Sequence, residues 1–161
     1  MIPAKFDYAA PTSVEEALAL LAEHGDEAKV LAGGQSPLPV LRMRLNAPEM
    51  VVDIGRIASL RGITDDGSTL TIGAMTPYHE ILADDRVRSR ATLLHQAITE
   101  VADPQIRHRG TLGGALVHAD PAGDCGAPVL AMDAELVVTG PSGERVIAAA
   151  EFFQGLFETA V

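Results

Sequence analysis

Residues 29–37 run Lys29-Val30-Leu31-Ala32-Gly33-Gly34-Gln35-Ser36-Pro37, a short apolar stretch that leads into a glycine pair and then into a serine and a proline. The apolar stretch predicts a buried strand. Ser36 is suited to cap a helix, and Pro37 takes a first helical position where its missing N–H costs nothing. We therefore expect a strand, a tight turn and a short helix over Leu38 to Leu45.

Alternating helix and strand is predicted on either side of this turn. Ser13 followed three residues later by Glu16 matches a capping box, the apolar residues that come next have helical spacing, and Gly25 ends the segment. Met50 to Ile54 predicts a further strand. We therefore expect residues 1–58 to form a small α/β lobe.

A change of pattern near residue 60 predicts a second, larger α+β lobe over residues 59–161. Two segments, 61–73 and 134–147, have the strand residues and glycine-containing turns of antiparallel hairpins. Between them, helical spacing predicts helices over Tyr78 to Ala83 and Ala91 to Ala102. The fold class expected for the whole chain is α+β.

Composition narrows the cellular context and the class of ligand. The chain has 161 residues and one cysteine, Cys125, which excludes an internal disulfide and any cluster held by several cysteines of this chain. A reducing, cytoplasmic location is the expectation. A net charge of −10 and the absence of tryptophan argue against a nucleic-acid partner. No stretch approaches the roughly 20 apolar residues of a membrane span.

A second glycine pair lies far along the chain, in Thr111-Leu112-Gly113-Gly114-Ala115, and Arg107 and Arg109 directly precede it. Glycine lets backbone N–H groups come close to a ligand, so each pair can cradle an anion. The two pairs together predict opposite walls of one phosphate site. For each segment taken alone, an ordinary glycine turn or a solvated arginine cluster is the alternative.

The segment from His118 to Cys125 is rich in polar side chains. His118 and Asp120 lack a third and fourth ligand at a familiar spacing, so no metal site is predicted. Asp124 is a candidate either for capping the next helix or for binding the hydroxyl groups of a ligand. Cys125 lies in no nucleophile motif, and we predict that it is a small buried residue.

These motifs, in this order, resemble the FAD-binding medium subunit of molybdenum hydroxylases, the group that contains carbon monoxide dehydrogenase and xanthine dehydrogenase. The similarity covers nearly all of the sequence, including Val51-Val52-Asp53-Ile54, Ile72-Gly73-Ala74-Met75-Thr76 and Glu151-Phe152-Phe153. It implies the FAD-binding fold named after p-cresol methylhydroxylase, in which FAD lies between a small α/β lobe and a larger lobe built on an antiparallel sheet. It also implies that the family's C-terminal domain is absent here.

The resemblance implies a set of FAD ligands and no catalytic or metal-binding residue. The backbones of the two glycine segments would wrap the diphosphate and its surroundings, and Asp124 would bind farther along the cofactor. The expected cofactor-binding residues are Ala32, Gly33, Gly34, Gln35, Ser36, Thr111, Leu112, Gly113, Gly114, Ala115 and Asp124. Ala115 departs from the family, in which Asn, Ser or Asp is common at this position.

The function that the resemblance implies is that of an oxidoreductase subunit. Substrate would be oxidised at a molybdopterin centre in a large subunit, and [2Fe–2S] clusters of a small subunit would pass the electrons to FAD. FAD would then reduce NAD or a quinone-type acceptor, and the chain would be inactive on substrate without its partners. The alternative is a truncated, non-catalytic assembly module that binds flavin weakly or not at all.

Overall fold

A parallel three-stranded sheet forms the first part of the computed structural model, which describes residues 1–161. Its strands are β1 (Asp7–Ala9), β2 (Ala28–Leu31) and β3 (Met50–Asp53), with β3 in the centre. Helix α1 (Val14–His24) joins β1 to β2, and α2 (Pro37–Arg42) joins β2 to β3. Parallel strands need crossover connections of this kind, so the predicted alternation of helix and strand produces this sheet.

The residues that flank α1 explain where the helix begins and ends. Ser13 Oγ accepts a hydrogen bond from the N–H of Glu16 at 3.2 Å, and the Glu16 carboxylate accepts one from the N–H of Thr12 at 2.8 Å. The first bond satisfies an N–H group that a helix start leaves without a partner. At the other end Gly25 has a φ of 51°, a left-handed value that glycine adopts without steric cost.

The second part of the chain combines antiparallel hairpins with short helices. The hairpins are β4 (Ile63–Asp65) with β5 (Leu70–Ile72), β6 (Glu135–Gly140) with β7 (Gly143–Ala148), and β8 (Phe153–Gly155) with β9 (Glu158–Thr159). The helices are α3 (Tyr78–Ala83), α4 (Asp85–Arg90), α5 (Thr92–Glu100), α6 (Pro104–Arg107), α7 (Leu112–His118), α8 (Gly126–Ala131) and α9 (Ala149–Phe152). Short 3₁₀ turns lie at Gly25–Glu27, Ile54–Arg56 and Ala58–Leu60.

Two separate hydrophobic cores hold these two parts. The smaller core lies between α1 and the parallel sheet and is formed by Ala17, Ala28, Val52 and Ile57. The larger core is enclosed by the helices from α3 onward, and Phe152, only 1% exposed, belongs to it. Burial of these apolar side chains is the main favourable contribution to folding. The lobe boundary at residue 58 stays a prediction. The separate cores support it, since Ile63, shortly after the boundary, already packs against the larger core.

Some helices differ from the sequence expectation. Helix α2 ends at Arg42 and not at Leu45, and Ser36 has helical backbone angles while its hydroxyl caps no N–H group. The helix expected from Ala91 to Ala102 is confirmed as α5 with shorter bounds. Helices α4, α6, α7 and α9 are short and were not predicted, whereas the helix expected after Asp124 forms as α8. No helix of the chain combines the length and hydropathy that crossing a membrane requires.

Candidate cofactor site

A cavity of about 550 Å³ lies where the two parts of the chain meet. One side is formed by β2, the turn that follows it, and α2. The other side is formed by the start of α3, the segment before α7, and α7 itself. Its volume is within the usual range for small-molecule and cofactor sites, about 300–1,000 Å³.

Most of the residues expected to bind the cofactor line this cavity. The lining residues among them are Ala32, Gly33, Gly34, Gln35, Ser36, Thr111, Gly114, Ala115 and Asp124. Leu112 and Gly113 are not on the wall. The Leu112 side chain is buried in the larger core, and Gly113 packs against Ala74. The fold therefore brings both glycine segments and Asp124 to the surface of one space.

The first glycine segment has unused hydrogen-bond donors. None of the N–H groups from Gly33 to Ser36 donates to another group of the protein. Gly34 has a φ of 79°, a conformation that residues with a Cβ rarely adopt, so glycine is required in this turn. Successive backbone N–H groups without partners are typical of concave anion-binding sites. This segment therefore has the donors that the sequence predicted.

The second glycine segment is the first turn of a helix, and the expectation of a loop with bare donors was wrong here. Thr111 caps α7, and its Oγ1 accepts a hydrogen bond from the N–H of Gly114 at 3.3 Å. The N–H of Gly113 donates to the carbonyl of Ala74 at 2.9 Å, and that of Leu112 donates to Thr76 at 3.3 Å. The N–H of Thr111, a residue only 4% exposed, has no acceptor in the protein. Thr111 is therefore the donor that this segment contributes.

Close backbone packing explains two of the glycines. A Cβ on Gly33 would collide with the carbonyl oxygen of Arg109, so Gly33 is where the turn after β2 touches the second part of the chain. A Cβ on Gly113 would lie 2.5 Å from the Cβ of Ala74, which packs directly against α7. Both glycines are required by the fold, whatever the cavity holds.

The positive charge on the cavity wall comes from Lys29 and not from the arginines that precede the second glycine segment. Arg107 Nη1 donates to the carbonyls of Val101 at 2.7 Å and Ala102 at 3.2 Å, directly after α5. Neither Arg107 nor Arg109 lines the cavity, whereas Lys29 does. The sequence feature that could have indicated this charge is Lys29 itself, which lies in the short apolar strand before the first glycine turn.

Tyr78 is a wall residue for which the sequence carried no signal. Its side chain is 5% exposed, and its hydroxyl accepts a hydrogen bond from the Cys125 thiol at 3.6 Å. Burial raises the pKa of Tyr78 above its usual range and raises the pKa of Cys125 as well. Both groups are therefore neutral near pH 7. The prediction that Cys125 is a small buried residue is confirmed.

Asp124 is exposed on the cavity wall and caps no helix. Helix α8 begins after Cys125 with no side-chain cap, so the capping alternative for Asp124 was wrong. Its carboxylate has no partner in the protein and is free to accept hydrogen bonds from a ligand's hydroxyl groups. His118 also lines the cavity, with its ring 5.2 Å from that of Phe157. No group of three His, Cys, Asp or Glu side chains is arranged to hold a metal ion.

The sequence is similar to known proteins over nearly its whole length. Residues 4–161 match the family described as "FAD binding domain in molybdopterin dehydrogenase". The chain is 46% identical over 159 residues to the carbon monoxide dehydrogenase medium chain of Hydrogenophaga pseudoflava and 40% identical over 161 residues to that of Afipia carboxidovorans. These alignments cover 99% and 100% of this chain, but only 55% and 56% of the two relatives.

The fold is also close to that of a solved structure. The carbon monoxide dehydrogenase from Hydrogenophaga pseudoflava that lacks the Mo-pyranopterin moiety of its cofactor superposes with a TM-score of 0.98 at 46% identity. The match covers 100% of this chain and 56% of that one. The chain therefore spans little more than half the length of the relatives it matches, and the predicted α+β fold is confirmed.

Proposed function

This chain belongs to the family of FAD-binding domains of molybdopterin dehydrogenases, and from that premise we propose that it is the FAD-holding part of a molybdenum hydroxylase medium subunit. FAD is the cofactor of this family's domain. The proposal concerns what the chain does with FAD: it binds the cofactor, orients it and makes it an electron relay for partner subunits.

The observation that supports this proposal best is the match between the cavity wall and the parts of FAD. The unused N–H groups from Gly33 to Ser36, together with that of Thr111, suit the acceptor oxygens of a diphosphate. Lys29 adds the positive charge that such a group requires. Asp124 offers a carboxylate to the sugar and ribityl hydroxyls that flank the diphosphate in FAD.

The relay role follows from what this chain contains and what it lacks. Bound FAD would supply the redox chemistry, and the residues of the wall would hold and orient it. With Cys125 as the only cysteine, the chain has no ligand set for a [2Fe–2S] cluster. Electrons would therefore come from a cluster-bearing small subunit and a molybdopterin-binding large subunit, and would leave to NAD or a quinone-type acceptor. Without those partners the chain would be inactive on substrate.

Flavin binding by the purified chain is the direct test. Flavin-free protein is titrated with FAD, and the fluorescence of the flavin and the visible band at about 450 nm report binding. ADP and riboflavin, each half of the cofactor, are titrated in parallel. One FAD per chain, with much weaker binding of either half, supports the proposal. Equal affinity for ADP and FAD would indicate a generic nucleotide-binding module, and no binding would favour the assembly module.

A matched pair of variants tests the contribution of Asp124. Asp124→Ala removes an acceptor from the cavity wall, whereas Asp26→Ala changes the 3₁₀ turn after α1, which is outside the cavity. A hydrogen bond to a charged acceptor contributes roughly 1.5–3 kcal/mol, so Asp124→Ala should weaken FAD binding about tenfold or more. FAD binding by Asp124→Ala as tight as that of Asp26→Ala would remove Asp124 from the site and leave the rest of the site in place.

Co-purification tests the partner proposal separately. The chain, tagged and expressed in its native cells, should bring down one molybdopterin-containing protein and one protein with [2Fe–2S] clusters. Isolation of a flavin-loaded chain with neither partner would contradict the relay role without affecting FAD binding.

A further inference from the structure

A buried contact between Tyr78 and Cys125 joins two walls of the cavity that are distant in sequence. Tyr78 begins α3 and lines the cavity, and Cys125 directly follows Asp124, another lining residue. The Cys125 thiol donates to Tyr78 Oη at 3.6 Å, and the two residues are 3% and 5% exposed. Because solvent is excluded, each group has the other as its polar partner.

Tyr78 is also attached to the wall that contains Thr111. Its N–H donates to the carbonyl of Gly110 at 3.0 Å, and Pro77 and Thr111 pair in an isolated antiparallel bridge. A Cβ on Gly110 would lie 2.9 Å from Tyr78 Cε2, so the ring packs directly against this glycine. Tyr78 therefore holds the Thr111 wall with its backbone and ring and the Asp124 wall with its hydroxyl.

The segment that carries Asp124 has few other polar attachments. Its hydrogen bonds are local: the N–H of Gly123 donates to the carbonyl of Asp120 at 2.8 Å, and the N–H of Ala122 donates to the Asp120 carboxylate at 2.9 Å. Those bonds shape the turn and do not connect it to another wall. The hydrogen bond from Cys125 to Tyr78 is what ties the end of this turn to α3.

We propose that Tyr78 and Cys125 are positioning residues: their hydrogen bond fixes the Asp124 wall relative to the Thr111 wall and so sets the affinity of the cavity for FAD. The inference rests on the proposed function, because FAD is the ligand whose affinity is affected. Cys125 acts as a hydrogen-bond donor and spacer, and no redox change of the thiol is involved.

A double-mutant cycle tests this role. Tyr78→Phe removes the acceptor and keeps the ring, Cys125→Ala removes the donor, and the double variant removes both. Each single variant should raise the FAD dissociation constant about three- to tenfold, the range expected for one intramolecular hydrogen bond. The double variant should bind no more weakly than the weaker single variant, because all three lack the same bond.

The melting temperature of each flavin-free variant separates positioning from general stability. A purely structural contact would lower the melting temperature without changing FAD affinity, and that result would overturn the proposal. Losses of affinity that add in the double variant would overturn it as well. If Cys125→Ala does not fold, the FAD dissociation constant of Tyr78→Phe relative to wild type decides between the two roles. In that variant the ring still fills its place, and only the hydroxyl is lost. Failure of the wild-type chain to bind FAD would contradict the proposed function itself, which is a different result.

Discussion

Replacing Gly113 with alanine should destabilise the protein and leave the cofactor cavity intact. The new Cβ would lie 2.5 Å from the Cβ of Ala74 and 2.8 Å from both its Cα and its carbonyl oxygen. Two of these atoms are backbone and cannot rotate away, so the cost should be at the upper end of the roughly 1–3 kcal/mol typical of overpacking. Alanine gains up to about 1 kcal/mol over glycine within a helix. The net loss of unfolding free energy is therefore about 2 kcal/mol.

Thermal unfolding of the flavin-free protein measures this loss. In a domain of this size about 1 kcal/mol corresponds to ~2–4 °C, so the melting temperature should fall by about 4–8 °C. Gly140→Ala is the matched control, since a Cβ there would have no atom within 4 Å. Below the melting range, Gly113→Ala should bind FAD like wild type, because Gly113 does not line the cavity. An unchanged melting temperature, or a stable variant that has lost FAD, would refute the assignment of Gly113 to packing.

Three further predictions concern a helix start, a thiol and a carboxylate. Ser13→Ala removes the acceptor for the Glu16 N–H and should lower the unfolding free energy in urea by about 1 kcal/mol, whereas Ser36→Ala, whose hydroxyl caps nothing, should leave it unchanged. The Cys125 thiol, 3% exposed, should react with DTNB only after denaturant is added, and rapid labelling of the native chain would disprove its burial. The Arg86 side chain, through a hydrogen bond, lowers the pKa of Asp84 from 3.8 to about 2. Because the pKa of Asp84 is lower in the folded state, its stabilisation is present above pH 3.8 and is lost as the pH falls towards 2. The unfolding free energy of Asp84→Asn, which lacks this carboxylate, should therefore fall less between pH 3.8 and 2 than that of wild type.

The elements with strong local signals were predictable from the sequence. The cap at Ser13, the strand at Met50 and the glycine turns of the two hairpins depend on neighbouring residues, and each forms where expected. Ser36 is the exception, because the helical angles of its backbone leave its hydroxyl without an N–H to accept. Ser36 lies between a glycine turn and Pro37. Local sequence does not determine which backbone conformation such a residue adopts once the protein has packed.

The use of the backbone donors was not predictable, because it depends on residues far away in the sequence. Gly33 and Gly113 are each the first residue of a glycine pair. The carbonyl of Ala74 accepts a hydrogen bond from the Gly113 N–H, whereas the Gly33 N–H has no acceptor. Likewise, Arg107 binds the carbonyls after α5, so the charge on the cavity wall comes from Lys29. Pairings of this kind, like that of Tyr78 with Cys125, arise only when the helices of the second part pack together.

Amide hydrogen exchange, measured residue by residue with and without FAD, compares the two glycine segments directly. Unused N–H groups that bind the diphosphate should become protected, whereas N–H groups already bonded within the protein should change little. We expect exchange at Gly33, Gly34, Gln35 and Ser36 to slow about tenfold or more when FAD is added, and exchange at Leu112 and Gly113 to stay as slow as before. New protection at Leu112 and Gly113 with none from Gly33 to Ser36 would contradict this assignment of the diphosphate site.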